Sequence, residues 1–345
     1  MSRRRRGASR PLENRSVDSS PLSPASQPTI RRLLARGRAW VSAPQPVERL
    51  AFSRLVLPLA ILGFLAARIA HPDHWLSPVG FRVPDLHGDW RQPLYLPPIA
   101  PWAARSVAVF IVVAGLCLAA GLFSQPAAAA FALLVAYVTL ADRLEAFTVT
   151  KLAPVLTLAL FLSPCGARYG LDAWRHRRRR SDLPLSTHVP GGVVRFFQVF
   201  LAVMYSGAGI AKLRGGWLSE NVLWSHLHDS YQTQLSWRLV HSLPGSAWQL
   251  LQYATLVFEI GAPLWLALRW TRTAAMVAGL GMHALIGLMF GPVLWFALLM
   301  AGLLIGSYAP ERWLRCLFRQ QRHDGGVTAF PGNMGLEAPS ESSAP

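Results

Sequence analysis

The chain has 345 residues, of which 52% are hydrophobic and only 15% are charged, so it has too few polar residues to cover two soluble domains. Apolar segments recur that are long enough to cross a bilayer core of about 30 Å. The formal net charge of +17 comes mainly from arginine runs that flank these segments. Such runs orient membrane proteins, so nucleic-acid binding is not expected. The composition predicts an all-α, polytopic helical protein whose main partner is the lipid bilayer.

The apolar segments predict about eight transmembrane helices in a multi-pass protein of the cell inner membrane. They cover residues 50–70, 105–123, 127–141, 147–163, 193–213, 247–268, 273–290 and 292–309. The first segment lies too far from the N-terminus to be a cleavable signal peptide. Arginine is concentrated before the first segment, between the fourth and fifth, and after the last, which predicts an N-in and C-in topology.

Three parts of the chain follow from this division. Residues 1–47 are rich in Arg, Ser and Pro and predict a disordered basic cytoplasmic tail. Residues 48–313 form the transmembrane domain, and residues 314–345 a second disordered cytoplasmic tail. Two long outer segments, 71–101 and 214–246, are expected to cover a cavity from outside. The three cysteines have no metal-ligand spacing, and no metal is predicted.

Lysine is rare in this chain, and its placement is informative. Of the 34 basic residues only Lys151 and Lys212 are lysines, and both lie inside apolar segments, near the predicted outer membrane surface. Small residues surround Lys212 in "YSGAGIAKL" and would allow close helix contact. A desolvated lysine amine can act as a base, whereas a lysine at the membrane edge can also simply extend its amine to water.

Three further polar residues lie within the apolar segments. Glu259 is near the middle of the sixth segment and His283 near the middle of the seventh, so a hydrogen bond between them is predicted. Such a pair is either structural or part of a proton relay or polar pocket. Tyr205, in the same segment as Lys212, and Lys151 are further pocket or relay candidates. Tyr169 and Asp172, in the inner loop "SPCGARYGLDAW", are expected to tie the fourth segment to the fifth.

Four motifs in order resemble the HTTM family, the horizontally transferred transmembrane domain shared with vitamin K-dependent gamma-carboxylase. They are "SPCGARYGLDAW", "RFFQVFLAVMYSGAGIAKLRGGW", "FEIGAPLW" and "MHALIGLMF". The resemblance covers residues 48–313. It implies that Lys212 matches the lysine that deprotonates vitamin K hydroquinone on the lumenal side of the carboxylase. The expected function is carboxylase-like base chemistry, as in a lyase, in a polar pocket near the periplasmic side, with menaquinone or another reduced quinone as cofactor.

The chain also departs from the carboxylase. No large lumenal domain like that of the carboxylase is expected after the last segment, and "AFTVTKLAP" has Lys151 where the carboxylase has an Asn-His pair. These departures count against carboxylation of a protein glutamate. One alternative is a non-enzymatic membrane factor for the maturation or export of a secreted peptide, and another is a small-solute or lipid transporter.

Overall fold

A computed structural model of the chain describes residues 27–81, 94, 96–141, 147–179, 186–218, 221–228 and 233–318. Within these ranges the chain forms fourteen α-helices, one 3-10 turn at Gly291–Val293 and one pair of very short strands. The strands are β1 (Gln45–Pro46) and β2 (His188–Val189), and they pair antiparallel. The predicted all-α class is confirmed.

Eight helices coincide with the eight apolar segments. Six are long and apolar enough to cross a membrane, namely α2 (Val47–Ala70), α4 (Pro101–Ala120), α5 (Ser124–Ala141), α8 (Gly192–Arg214), α11 (Gly245–Ala267) and α12 (Arg272–Met289). The other two are shorter, with 14 residues in α6 (Thr148–Phe161) and 15 in α13 (Leu294–Tyr308). At 1.5 Å per residue these two span only about 21–23 Å. The polytopic class is confirmed, whereas the orientation in the membrane stays a prediction.

Helix α2 is the centre of the bundle and packs against α4, α6 and α13. Two arginines near the start of α2 donate hydrogen bonds to backbone carbonyls of distant segments. Arg49 binds the Gly306 and Ala309 carbonyls at the end of α13, at 3.3 and 2.9 Å. Arg54 is 2% exposed and binds the carbonyls of Cys165 and Tyr169. These two carbonyls hold the Arg54 guanidinium inside the protein, while its Nε is buried without a hydrogen-bond partner in the described part of the chain.

The loop between α6 and α7 (Leu171–Arg179) is fixed by side chains rather than by a regular element. The Tyr169 hydroxyl donates to Glu48 Oε1 at 3.1 Å. The Asp172 carboxylate accepts from the amides of Phe123 and Ser124, each at 2.8 Å, and so caps the start of α5. The expected structural role of Tyr169 and Asp172 is confirmed, but they tie the loop to α2 and α5 rather than to the next span.

The two segments predicted as disordered tails each contain a helix. Helix α1 (Gln27–Ser42) lies within 1–47, and α14 (Glu311–Phe318) overlaps 314–345. Disorder was expected from the polar composition of these segments. Composition does not show that their few apolar residues recur at helical spacing. In α14, Leu314 is buried and the Phe318 ring stacks on Tyr169 with 4.5 Å between centroids. Residues 1–26 and 319–345 lie outside the described residues.

Three short helices occur in the two long outer segments. They are α3 (Asp73–Leu76), α9 (Val222–His226) and α10 (Gln234–Ser242). Helix α10 begins with a capping box in which Thr233 and Ser236 exchange side-chain to backbone hydrogen bonds. Parts of both outer segments, residues 82–93, 95, 219–220 and 229–232, lie outside the described residues.

Candidate functional site

Helix α8 carries two of the candidate residues on one face. Tyr205 and Lys212 are seven residues apart, which is nearly two full helical turns. Between them, Gly209 lies against α11, where an added Cβ would come within 2.6 Å of Ile260 Cδ1. The absence of a side chain at Gly209 therefore lets α8 and α11 approach closely. This confirms that part of the small-residue pattern around Lys212 serves helix contact.

The close approach of α8 and α11 forms an ion pair between Lys212 and Glu259. The Lys212 amine donates to both carboxylate oxygens, at 2.6 and 2.7 Å. The Lys212 side chain is 22% exposed and the Glu259 side chain only 8%. The predicted Glu259–His283 hydrogen bond is therefore wrong, because the packing of α8 on α11 brings a stronger partner to the carboxylate.

His283 on α12 instead pairs with Tyr205 on α8. The Tyr205 hydroxyl and His283 Nε2 are 2.9 Å apart, and both residues are 3% exposed. Two aromatic rings enclose the pair, with Phe258 edge-on to Tyr205 at 5.4 Å and Phe296 edge-on to His283 at 6.0 Å. His283 Nδ1 is buried and has no hydrogen-bond partner in the described part of the chain. Helix α8 thus supplies one member of each polar pair.

Trp217 and Gln252 extend the ion pair toward the end of the bundle, and both were missed as site residues. The Lys212 amine lies 5.1 Å from the centroid of the Trp217 ring. The Trp217 indole donates to the Gln252 carbonyl at 3.1 Å, and the Gln252 amide donates back to the Trp217 carbonyl at 2.9 Å. The signal for Gln252 was present in the sequence, because a buried amide in an apolar helix needs partners.

Lys151 is not brought to these pairs by any described contact. It lies in the first turn of α6, is exposed, and forms neither an ion pair nor a side-chain hydrogen bond with any residue that the structure describes. The environment of the two lysines therefore differs, since Lys212 has a buried carboxylate partner and Lys151 has none among the described residues.

Within the described ranges, no group of three or more His, Cys, Asp or Glu side chains is arranged to bind an ion. Two surface grooves border α4, one between α2 and α4 and one between α4 and α5. Neither groove contains Lys212, Glu259, Tyr205 or His283.

These features define a multi-pass helical membrane protein with two polar pairs that share helix α8. The family model described as the HTTM domain matches residues 52–308, which is most of the chain. The chain belongs to the HTTM family, and the resemblance drawn from the four sequence motifs is confirmed. No curated protein and no solved structure matches the chain.

Proposed function

We propose that Lys212 is a base that acts on a hydroxyl group of a lipid-soluble substrate, with a reduced quinone such as menaquinol as the substrate class. The observation that carries the proposal is the contrast within the ion pair. The carboxylate of Glu259 is almost fully enclosed, while the Lys212 side chain keeps 22% of its surface accessible. The amine is thus the member of the pair that a substrate can reach.

Glu259 gives the lysine a way to become a base. An ammonium group cannot accept a proton, so Lys212 must first release one. The Glu259 oxygens lie at 2.6 and 2.7 Å, within the distance for direct transfer. Transfer leaves a neutral amine beside a carboxylic acid, and this neutral form is favoured where charge is poorly solvated. The amine then accepts the substrate proton and becomes ammonium again.

The depth of Lys212 supports access from one side of the membrane. It lies 20 residues beyond Gly192, the first residue of α8, which corresponds to about 30 Å along the axis. The arginine-rich ends of α2, α7 and α14 lie at the opposite end of the bundle, where Arg49 and Arg54 make their contacts. With arginine facing the cytoplasm, the proposed site faces the periplasm in an inner membrane.

Tyr205 and His283 would form the deeper polar part of the same site. Their hydrogen bond lies nearly two turns further into the membrane along α8, at about 10 Å. Tyr205 can donate or accept a proton, and His283 keeps one buried ring nitrogen unpaired within the described structure. A carboxylase-like activity would use this pair to position a substrate oxygen or to pass its proton on.

Menaquinol oxidation by full-length protein in lipid nanodiscs tests the proposal. Removal of the hydroxyl proton speeds the transfer of two electrons and two protons from menaquinol to dissolved oxygen. We expect saturable menaquinol binding and accelerated oxidation by the wild type, with oxidation lost in Lys212→Ala and Lys212→Arg. Arginine keeps the positive charge beside Glu259 but cannot act as a base, so Lys212→Arg separates folding from chemistry.

Lys151→Ala is the matched control, because it removes the other lysine of the chain from an exposed position with no partner among the described residues. It should bind and oxidise menaquinol as the wild type does. Oxidation that persists in a folded Lys212→Arg protein would refute the proposed base. Absence of saturable menaquinol binding by the wild type would refute the quinone as substrate.

A further inference from the structure

Helix α1 has one apolar face that the described protein leaves uncovered. Leu33 and Leu34 are 60% and 68% exposed, and Trp40 and Val41 are 44% and 46% exposed. At 100° per residue these four side chains fall within one sector of the helix about 120° wide. Four large apolar side chains on one exposed face require a covering that is not water.

The rest of α1 is basic. Arg31, Arg32, Arg36 and Arg38 are all exposed, and the helix sequence "QPTIRRLLARGRAWVS" contains no acidic residue. Arg31 and Arg38 flank the apolar sector on one side, and Arg32 and Arg36 flank it on the other. An apolar sector bordered on both sides by long cationic side chains is the pattern of a helix that lies in a membrane interface.

The end of α1 is fixed at the level where the membrane helices begin. The Arg195 guanidinium, in the first turn of α8, lies 4.7 Å from the centroid of the Trp40 ring. Helix α1 ends at Ser42 and α2 begins at Val47. Between them, β1 pairs with β2, which precedes the start of α8 at Gly192. The attachment therefore places the C-terminal end of α1 at the level where the membrane helices α2 and α8 begin.

Two other short helices at this end of the bundle carry the same combination. In α7 the exposed Trp174 lies under the Arg178 guanidinium, 4.1 Å from the ring centroid. In α14 Trp313 and Leu317 are exposed beside Arg315. Aromatic rings and arginines together are typical of the headgroup layer of a membrane.

We propose that α1 lies in the plane of the membrane and binds anionic phospholipid on the arginine-rich side. Leu33, Leu34, Trp40 and Val41 enter the upper acyl region, while the four arginines bind lipid phosphates. A phosphodiester is the occupant that matches the charge, because arginine forms bidentate hydrogen bonds with phosphate oxygens. This surface is at the opposite end of α8 from Lys212, so the inference is independent of the proposed base chemistry.

Spin labels on the two faces of α1 test this in full-length protein. Leu33→Cys places a label on the apolar face, and Ala35→Cys is the matched control on the basic face. Both variants also carry Cys117→Ala and Cys316→Ser, so that the new cysteine is the accessible one. Cys165 is kept because it is buried. The protein is placed in nanodiscs of phosphatidylcholine with or without 30% phosphatidylglycerol, and collisions with oxygen and with a water-soluble nickel chelate are measured.

In phosphatidylglycerol discs we expect the Leu33 label to collide with oxygen and to be protected from nickel, with the reverse at Ala35. Replacing the four arginines by glutamine should lower the equilibrium constant for membrane association of α1 by roughly fivefold for each arginine removed, with a matching rise in nickel access at Leu33. Raising the salt to about 1 M, where the Debye length is near 3 Å, should reduce it similarly.

Three results would overturn the proposal. Nickel access at Leu33 in both lipids would mean that α1 stays in water. Protection from both oxygen and nickel would mean that protein, either a second copy or another part of the chain, covers the face. If the Leu33 label has the same oxygen access in discs of phosphatidylcholine alone as in discs with phosphatidylglycerol, α1 inserts without recognising anionic lipid.

Discussion

Glu259 is an acidic side chain whose burial is unfavourable without a partner. Its carboxylate is 8% exposed in a helix that crosses the membrane, and Lys212 donates both of its described hydrogen bonds. Lys212 is more accessible and can extend its amine toward the membrane surface when unpaired. Loss of Lys212 should therefore destabilise the folded protein more than loss of Glu259.

This asymmetry predicts the order of stability in three variants. Lys212→Met leaves a buried carboxylate alone and should reduce the free energy of unfolding by about 3–5 kcal/mol. Glu259→Gln leaves a partly accessible lysine and should reduce it less. The double variant should be more stable than Lys212→Met alone, because neither charge remains. The stability of all three variants is compared by thermal denaturation in detergent, with the folded fraction measured by size-exclusion chromatography.

Additive losses in the double variant would contradict a direct interaction, since independent sites add and paired sites do not. Lys151→Met serves as the control here too, because it removes an exposed lysine without a described partner.

The sequence could identify the residues of the polar pairs but not their pairing. Lys212, Glu259, Tyr205 and His283 were all identified because ionisable or polar groups are rare in apolar segments. Depth in the membrane alone suggested that Glu259 pairs with His283, since the midpoints of neighbouring antiparallel helices lie at the same depth. Which faces of α8 and α11 meet depends on helix rotation, and rotation is decided by contacts such as Gly209 with Ile260.

At the scale of elements, α8 depends on how closely it packs against α11. Two glycines in the second half of α8 differ in surroundings, since Gly209 lies against Ile260 and Gly207 has no atom within 4 Å of an added Cβ. A methyl group at Gly209 would meet both the Ile260 side chain, at 2.6 Å, and its backbone nitrogen, at 3.3 Å. Only one of the two glycines is therefore needed for packing.

Alanine at each glycine separates packing from helix preference. Gly209→Ala should lower the free energy of unfolding by about 1–3 kcal/mol, because α11 must move away. Gly207→Ala should be neutral or stabilising by up to about 1 kcal/mol. Ile260→Val should restore part of the loss when combined with Gly209→Ala. Equal effects of the two alanines on thermal stability would contradict the close helix contact.

Helix existence was more predictable than helix ends. All eight apolar segments are helical, because hydrophobic length is a local property of the sequence. The end of α13 is set by Pro310, after which α14 turns away by 112°. Helices α1 and α14 were missed because their apolar residues are few and are separated by arginine. The average composition of such a segment does not show that its apolar residues share one helix face.

At the scale of the molecule, the arginine-rich ends share one side. Helix α2 begins there, α13 ends there, and the α6–α7 loop is held there by Arg54. The three cysteines report on this arrangement, since Cys316 is exposed on α14, Cys165 is buried in that loop, and Cys117 is half-buried in α4.

A membrane-impermeant maleimide should label Cys316 in inverted membrane vesicles and not in intact spheroplasts, if both chain ends are cytoplasmic. Cys165 should react only after denaturation, because burial encloses its thiol and raises its pKa, which disfavours the reactive thiolate. Raising the pH to about 9, near the ordinary thiol pKa, should therefore not expose it to labelling. Cys316→Ser is the control and should remove labelling from the native protein.

Labelling of Cys316 in intact spheroplasts would reverse the predicted orientation. It would also place Lys212 on the cytoplasmic side, because α8 carries the lysine at the end opposite the arginine-rich face.

The hydrogen bonds of α2 have a consequence for how the protein is made. Helix α2 leaves the ribosome before the other described membrane helices, yet Arg49 needs carbonyls at Gly306 and Ala309, more than 250 residues later. Until α13 is synthesised, that guanidinium lacks these two partners. Helix α2 must therefore stay near water or the insertion machinery while the later helices enter. Arrival of α13, rather than insertion of α2 itself, is the step that encloses Arg49 in the bundle.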